Sequence, residues 1–333
     1  MGRIAGLLVL VSPVFIWYAQ EIKMYSWVPM LVLLALYALD RACATADSLW
    51  WGVTWVSTTT AFYSHILAAL LIPVLVFWFF LHPSRHRRAW IGGIVVIFGL
   101  TLPYLPLFAW QGRLAFQTRE TGFPDRALPE MVAELVRQWG WGITQGQWER
   151  SDMGMLVGVL GMSALSLLGL AFFLWHGRYR RSGQLGVWLG LPLLAVWLIS
   201  QRGAIFTRRY LIWSAPAFVL GIALCVDAVA SRSRAVGTGV LALVLILYGH
   251  GSLAQVIHPA KPEFERVVAI VEARRKADEL LIFQIPYNHH VYAFYADEPL
   301  DPWIQAPYTN WPGSDDEGYS KGMPYVESQI APF

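Results

Sequence analysis

Apolar stretches long enough to enter a bilayer recur along this chain, separated by short polar or basic breaks. A spanning helix needs about 20 mostly apolar residues, because the hydrocarbon core is roughly 30 Å thick and a helix rises about 1.5 Å per residue. The pattern predicts nine such helices, near 4–19, 25–40, 49–63, 65–81, 90–110, 153–175, 185–200, 209–230 and 235–251. The second to fourth follow one another almost without loops. The first has the look of a signal peptide, with Arg3 ahead of an apolar run. No small-residue cleavage site precedes Glu21, so it is read as a helix.

Two segments depart from this pattern. In the loop 111–152, Leu128, Met131, Val132, Leu135, Val136 and Trp139 repeat at i, i+3, i+4. That spacing predicts an amphipathic helix at about 128–139, lying on the membrane surface or packed on the bundle. Trp139, Trp141 and Trp148 read as interface anchors, and an ordered connecting loop is the plainer alternative. The tail 252–333 reads as a small separate unit. Pro262 can open a helix in which Phe264, Val267, Val268 and Val271 share a face, and Arg274, Arg275 and Lys276 suit its last turn. Leu280–Ile285 has the length of a buried strand, and 287–296 is an aromatic third element. Residues 299–333, rich in Pro, Gly, Asp and Trp, read as irregular.

Composition sharpens the class. Hydrophobic residues make up 56% of the chain and charged ones 14%, against about 25% charged in a typical soluble domain. That excludes a disordered chain and sets the protein apart from ordinary soluble enzymes. The 17 Trp and 14 Tyr fit a protein with two membrane–water interfaces to anchor. Cys43 and Cys225 fall in or beside apolar segments and define neither a disulfide framework nor a metal spacing.

The placement of charge says more than its sum. The short loops 82–89, 176–184 and 231–235 carry eight Arg and no acid, so the positive-inside rule makes them cytoplasmic. Nine spans then put Met1 inside and the C-terminus outside. The external tail carries six basic and 12 acidic residues. The basic pI of 8.8 therefore reflects loop charge and implies no nucleic-acid partner.

The segment Ser12–Tyr25 (SPVFIWYAQEIKMY) carries the densest candidate chemistry. Glu21 and Lys23 follow a span at its external end, with Tyr18, Gln20 and Tyr25 around them. Charges at membrane depth cost a few kcal/mol each unless paired or wet. One reading has Lys23 holding a lipid phosphate and Glu21 handling an acceptor or sugar hydroxyl. The other is an interfacial pair that snorkels into the headgroups. A second cluster, Phe206–Tyr210 (FTRRY), puts Arg208, Arg209 and Tyr210 at an external mouth. Arg suits a phosphate clamp because it bonds bidentately and stays charged; headgroup binding is the alternative. His65, in AFYSH, faces the same side and is either a hydrogen-bond donor to substrate or structural. His289 and His290 are adjacent, and neighbours along an element point apart, so no metal is assigned; a divalent ion remains compatible.

These residues also carry a resemblance. SPVFIWYAQEIKMY resembles the "SP…Y-A-Q-E-x-R-M-Y" stretch of bacterial GT-C glycosyltransferases of the family 39 type, relatives of protein O-mannosyltransferases and lipid A aminoarabinose transferases. STTTAFYSHILAAL (57–70), FTRRYLIWSAPAFVLGIAL (206–224) and 261–295 are similar, in order, to that family's "Y-[ST]-H" span, "R-Y-L…P-A" span and external domain.

The resemblance implies an all-α polytopic membrane bundle over 1–251 with a small external α/β domain over 252–333, in a bacterial inner membrane. It implies an isoprenoid-phosphate-linked sugar as donor and inversion at the anomeric carbon. The acceptor hydroxyl belongs to a lipid, protein or glycan. No cofactor is implied. Glu21 matches the family's Glu, in a supporting catalytic role. Lys23 stands where the family has Arg or Lys, and Arg208 and Arg209 belong to the same phosphate pocket. Gln20, Tyr25, His65 and Tyr210 complete the expected binding site. In the family, two further spans and a long external loop with the principal catalytic Asp precede the matched region. The expectation is therefore an N-terminally truncated transferase, or a partner-dependent or inactive relative. A transporter or other lipid-binding membrane protein is the non-enzymatic alternative. Against a transporter stand the absence of paired Gly/Pro-interrupted segments in the two halves and the placing of polar residues on the external face.

Overall fold

A computed structural model describes residues 1–21, 23–45, 47–82, 124–143, 153–257, 263–276, 279–283, 288–296 and 303–305, with isolated positions between 91 and 113. The expected span at 90–110 lies largely outside the described residues, and Pro262 and all residues after 305 lie outside them. The chain divides into two units, Met1–Ala260 and Lys261–Phe333.

In the first unit the described helices are α1 (Gly2–Val11), α2 (Pro13–Ala19), α3 (Trp27–Thr45), α4 (Ser48–Ser64), α5 (Leu71–Leu81), α6 (Leu128–Trp141), α7 (Met153–Trp175), α8 (Tyr179–Ser200), α9 (Ala215–Arg232) and α10 (Arg234–Ile257). Short 3-10 segments, Ile66–Leu70 and Arg208–Ser214, lead into α5 and α9. Among the described residues, five helices are long and apolar enough to cross a membrane, or up to six if α1 and α2 form one bent span.

The departures from the expected boundaries have local causes. The first stretch is not one straight helix: it bends by 60° between α1 and α2. Ser12 precedes Pro13, and the proline ring pushes that residue out of the helical region, to φ −67°, ψ 123°. Proline also accompanies the two 3-10 segments, since Pro73 and Pro216 fall in the first turns of α5 and α9. The helix α4 is rich in Ser and Thr, yet it packs inside the unit because its hydroxyls donate back along the helix. Thr54, Thr58, Thr60 and Ser64 reach the carbonyls four residues earlier at 2.7–2.8 Å.

The helix α9 is the central element. With its 3-10 lead-in it is 83% buried over its most apolar window, against 22% for α7. The outward residues of α7 include Leu156, Leu160, Leu167 and Leu168, all exposed. A helix apolar on its exposed as well as its buried face is built for lipid. The two helices approach closely through Gly169 and Gly221: a Cβ on either would overlap the other helix. Ser166 Oγ adds a hydrogen bond to the Phe218 carbonyl at 3.0 Å.

The helix α6 spans Leu128–Trp141, two residues beyond the expected end, and packs on the bundle. Met131, Leu135, Trp139 and Trp141 are buried. Trp139 and Trp141 are therefore core residues rather than interface anchors, while Trp148 lies outside the described residues. The chain leaves α6 at Gly142, whose φ of +107° suits glycine. There Gln255 of α10 ties three elements together. It accepts from the Ile143 N–H at 2.7 Å and donates to the Pro13 carbonyl at 3.1 Å.

Side-chain contacts fix the two ends of the bundle. At one end Arg181 grips Asp40 through two bonds of 2.6 and 3.2 Å, His82 Nε2 lies 3.8 Å from the same carboxylate, and Arg232 sits over Phe172. The described parts of all three basic loops thus share one end. At the other end lie Tyr25, His65 and Arg208–Tyr210, at the start of α3, the end of α4 and the approach to α9.

The second unit contains α11 (Phe264–Arg274), β1 (Leu281–Phe283), α12 (Asn288–Tyr295) and β2 (Trp303–Gln305). The strands pair in parallel, Leu281 with Trp303, Ile282 with Ile304 and Phe283 with Gln305. Tyr292 donates to Glu272 across the helix pair, and its ring meets Phe283 edge-on. His289 and His290 lie on α12 with ring centroids 3.7 Å apart, so they do not point away from each other as a straight reading of neighbours expects.

Candidate functional site

Four elements meet at the end of the bundle opposite the basic loops. The turn after α2 presents Glu21, Lys23 and Tyr25. The junction between α4 and its following 3-10 segment presents His65. The 3-10 segment before α9 presents Arg208, Arg209 and Tyr210. The fourth element, α6, contributes Gln138.

The cluster is a chain of ring contacts around one guanidinium. Tyr18 meets Tyr25 edge-on at 5.4 Å, Tyr25 lies 6.0 Å from His65, and His65 meets Tyr210 at 5.0 Å. The Arg209 guanidinium sits over the Tyr25 ring at 5.8 Å and over the Tyr210 ring at 5.7 Å. Aromatic faces attract a cation without bonding its N–H groups. A guanidinium can then grip a phosphate or carboxylate bidentately. Arg209 Nε is buried and has no hydrogen-bond partner among the described residues.

His65 is buried, and its Nδ1 accepts from the Leu67 N–H at 3.2 Å, so the neutral ring carries its proton on Nε2. Arg209 is the charged group among the rings.

Gln138 supplies the floor. Its Nε2 donates to the Tyr18 hydroxyl at 2.9 Å, and its buried Oε1 has no partner among the described residues. Tyr18 lies within electrostatic reach of Glu21, Arg208 and Arg209, which places those three around one phenol. Glu21 itself accepts from Trp17 Nε1 at 3.1 Å. Such a bond orients a carboxylate.

The structure thus gathers Tyr25, His65, Arg209 and Tyr210 in direct contact, with Glu21 and Arg208 nearby. Gln20 and Lys23 are exposed on the rim, and among the described residues Lys23 has no ion pair. Gln138 escapes sequence reasoning, although a signal exists. It falls three residues after Leu135 and breaks an otherwise apolar stripe. Among the described residues no group of three or more His, Cys, Asp or Glu is placed to hold a metal. Compared with models of known protein families, with curated proteins and with solved structures, the chain matches none.

Proposed function

We propose that this protein is a membrane glycosyltransferase, or the larger part of one, that takes a sugar from a polyprenyl-phosphate donor. The observation that carries the reading is Arg209, half-buried over two tyrosine rings, with a buried Nε that has no partner among the described residues. A guanidinium seated on aromatic rings beside apolar, outward-facing helices matches a donor whose phosphate sits at the membrane surface and whose prenyl tail stays in the bilayer.

In this reading the acceptor oxygen forms a bond to the anomeric carbon as the bond from that carbon to the phosphate oxygen breaks. The electron pair leaves with the prenyl phosphate, where Arg209, Arg208 and Lys23 stabilise the developing charge. The acceptor proton passes to a carboxylate, as in inverting glycoside hydrolysis. Gln20, Tyr25, His65 and Tyr210 line the sugar, with neutral His65 available as donor and Gln138 as acceptor. The full architecture proposed is nine spans with a small external α/β domain. The basic loops and N-terminus face the cytoplasm of a bacterial inner membrane, and the C-terminus faces the periplasm. No cofactor takes part, and the acceptor hydroxyl belongs to a lipid, protein or glycan.

A second reading has one observation in its favour. The hydrogen bond from Trp17 occupies Glu21 and suits it to positioning more than to proton abstraction. A partner-dependent or inactive relative that binds the lipid-linked sugar without transferring it would look the same. The test is prenyl-phosphate release by the purified chain from polyprenyl-phosphate-linked sugars. Glu21→Gln and Lys23→Ala should each lower release by roughly a hundred-fold, the scale of losing one group that acts in the transition state, with unchanged elution and Tm. Wild-type rates in both variants would remove these residues from the site. Sugar binding without release by the wild type would favour the second reading.

A further inference from the structure

A cleft of about 550 Å³ opens at the other end of the bundle, where α5 and α7 end and α8 begins. It is lined by Leu81, His82, Arg178, Tyr179, Arg180 and Arg181, with Gln184 behind them. It lies far from the Tyr25–Arg209 cluster: α3 alone separates Tyr25 from Asp40 by 15 residues, on the order of 22 Å of helix.

We propose that this cleft is a second anion site, one that binds a phosphate group. Its charge is the first argument. Arg181 is neutralised by Asp40 through the two-bond grip, and Gln184 supports it at 3.3 Å. Arg178 and Arg180 have no carboxylate partner among the described residues; Arg178 rests on the Phe173 ring at 5.3 Å. Two uncompensated guanidinium groups therefore line one concave surface, and a dianionic or monoanionic phosphate is the ligand that balances them.

The backbone is the second argument. The 22-residue helix α8 starts inside the cleft wall, at Tyr179, and no side chain caps it. Its first-turn N–H groups have no partner within the helix, and its dipole favours an anion there.

Phosphate in this position has two sources, an anionic lipid headgroup or free phosphate. The walls favour the lipid. Phe80, Trp175 and Tyr179, on the helices that form the cleft, are 70%, 88% and 67% exposed, as aromatic residues at a membrane interface are. An acyl chain can lie along them while the headgroup enters the cleft.

The experiment uses the full chain in neutral detergent. Native mass spectrometry titrates it with phosphatidylglycerol and, separately, with phosphatidylcholine; labelled inorganic phosphate is titrated without lipid. The variants are Arg178→Gln with Arg180→Gln, and Tyr179→Glu, which sets a carboxylate on the rim at an exposed position. The wild type should bind phosphatidylglycerol at least ten-fold more tightly than phosphatidylcholine, and both variants should erase that preference. Inorganic phosphate binding with the same dependence on the variants would assign the site to free phosphate. Phosphatidylglycerol and inorganic phosphate binding that neither variant weakens, or failure of both probes to bind the wild type, would overturn the proposal.

Discussion

Arg209 is the residue on which the site turns. Cation–π contacts to exposed rings contribute about 0.5–1 kcal/mol and more when desolvated, so Tyr25 and Tyr210 fix the guanidinium without neutralising it. His65 caps the 3-10 turn through the Leu67 N–H, and His65→Asn, which keeps a side-chain acceptor there, should leave Tm nearly unchanged while His65→Ala lowers stability by about 1 kcal/mol. Equal melts for the two variants would remove the cap from the account of stability. Most members of the cluster stand out in the sequence, as charged and aromatic residues at the ends of apolar runs, and His65, Arg209, Tyr210 and Tyr25 do meet. Gln138 was not, because its partner Tyr18 is 120 residues away and only tertiary packing joins them.

At the scale of elements, proline and glycine set the shape. Pro13 breaks the first apolar run, Pro73 and Pro216 stand where 3-10 turns become α-helices, and those turns present His65 and Arg209. Hydrophobic periodicity located the helices but could not distinguish a 3-10 turn from the first turn of an α-helix, because over five to seven residues both periods fit. The amphipathic helix α6 was read correctly from its stripe. Its tryptophans were not, since the same apolar residue serves an interface and a core equally well by sequence. Gln255→Leu tests the junction that α6, α10 and Pro13 share. It would leave the Ile143 N–H and the Pro13 carbonyl buried and unpaired, at about 1–3 kcal/mol each, and should lower the midpoint of thermal unfolding clearly. An unchanged midpoint would mean water or backbone movement satisfies both groups. Gly221→Val, which overpacks the contact of α7 with α9, should destabilise by about 1–3 kcal/mol or prevent monodisperse elution.

For the whole molecule, the described residues of the basic loops lie at one end of the bundle and the aromatic–arginine cluster at the other. Asp40, His82 and Arg181 meet at the basic end, and Arg232 sits over Phe172. Cys43 and Cys225 are buried, which gives a low background for labelling. Lys23→Cys and Tyr179→Cys should react with a membrane-impermeant maleimide from opposite faces of sealed vesicles. Labelling of both from one face would contradict the arrangement. The most direct test is the binding of a polyprenyl phosphate to the purified chain, wild type against Arg209→Gln. Binding should be saturable and should weaken at least ten-fold in the variant, the loss expected of one charge-assisted contact. Undiminished binding by Arg209→Gln, or no binding by the wild type, would contradict the proposed function.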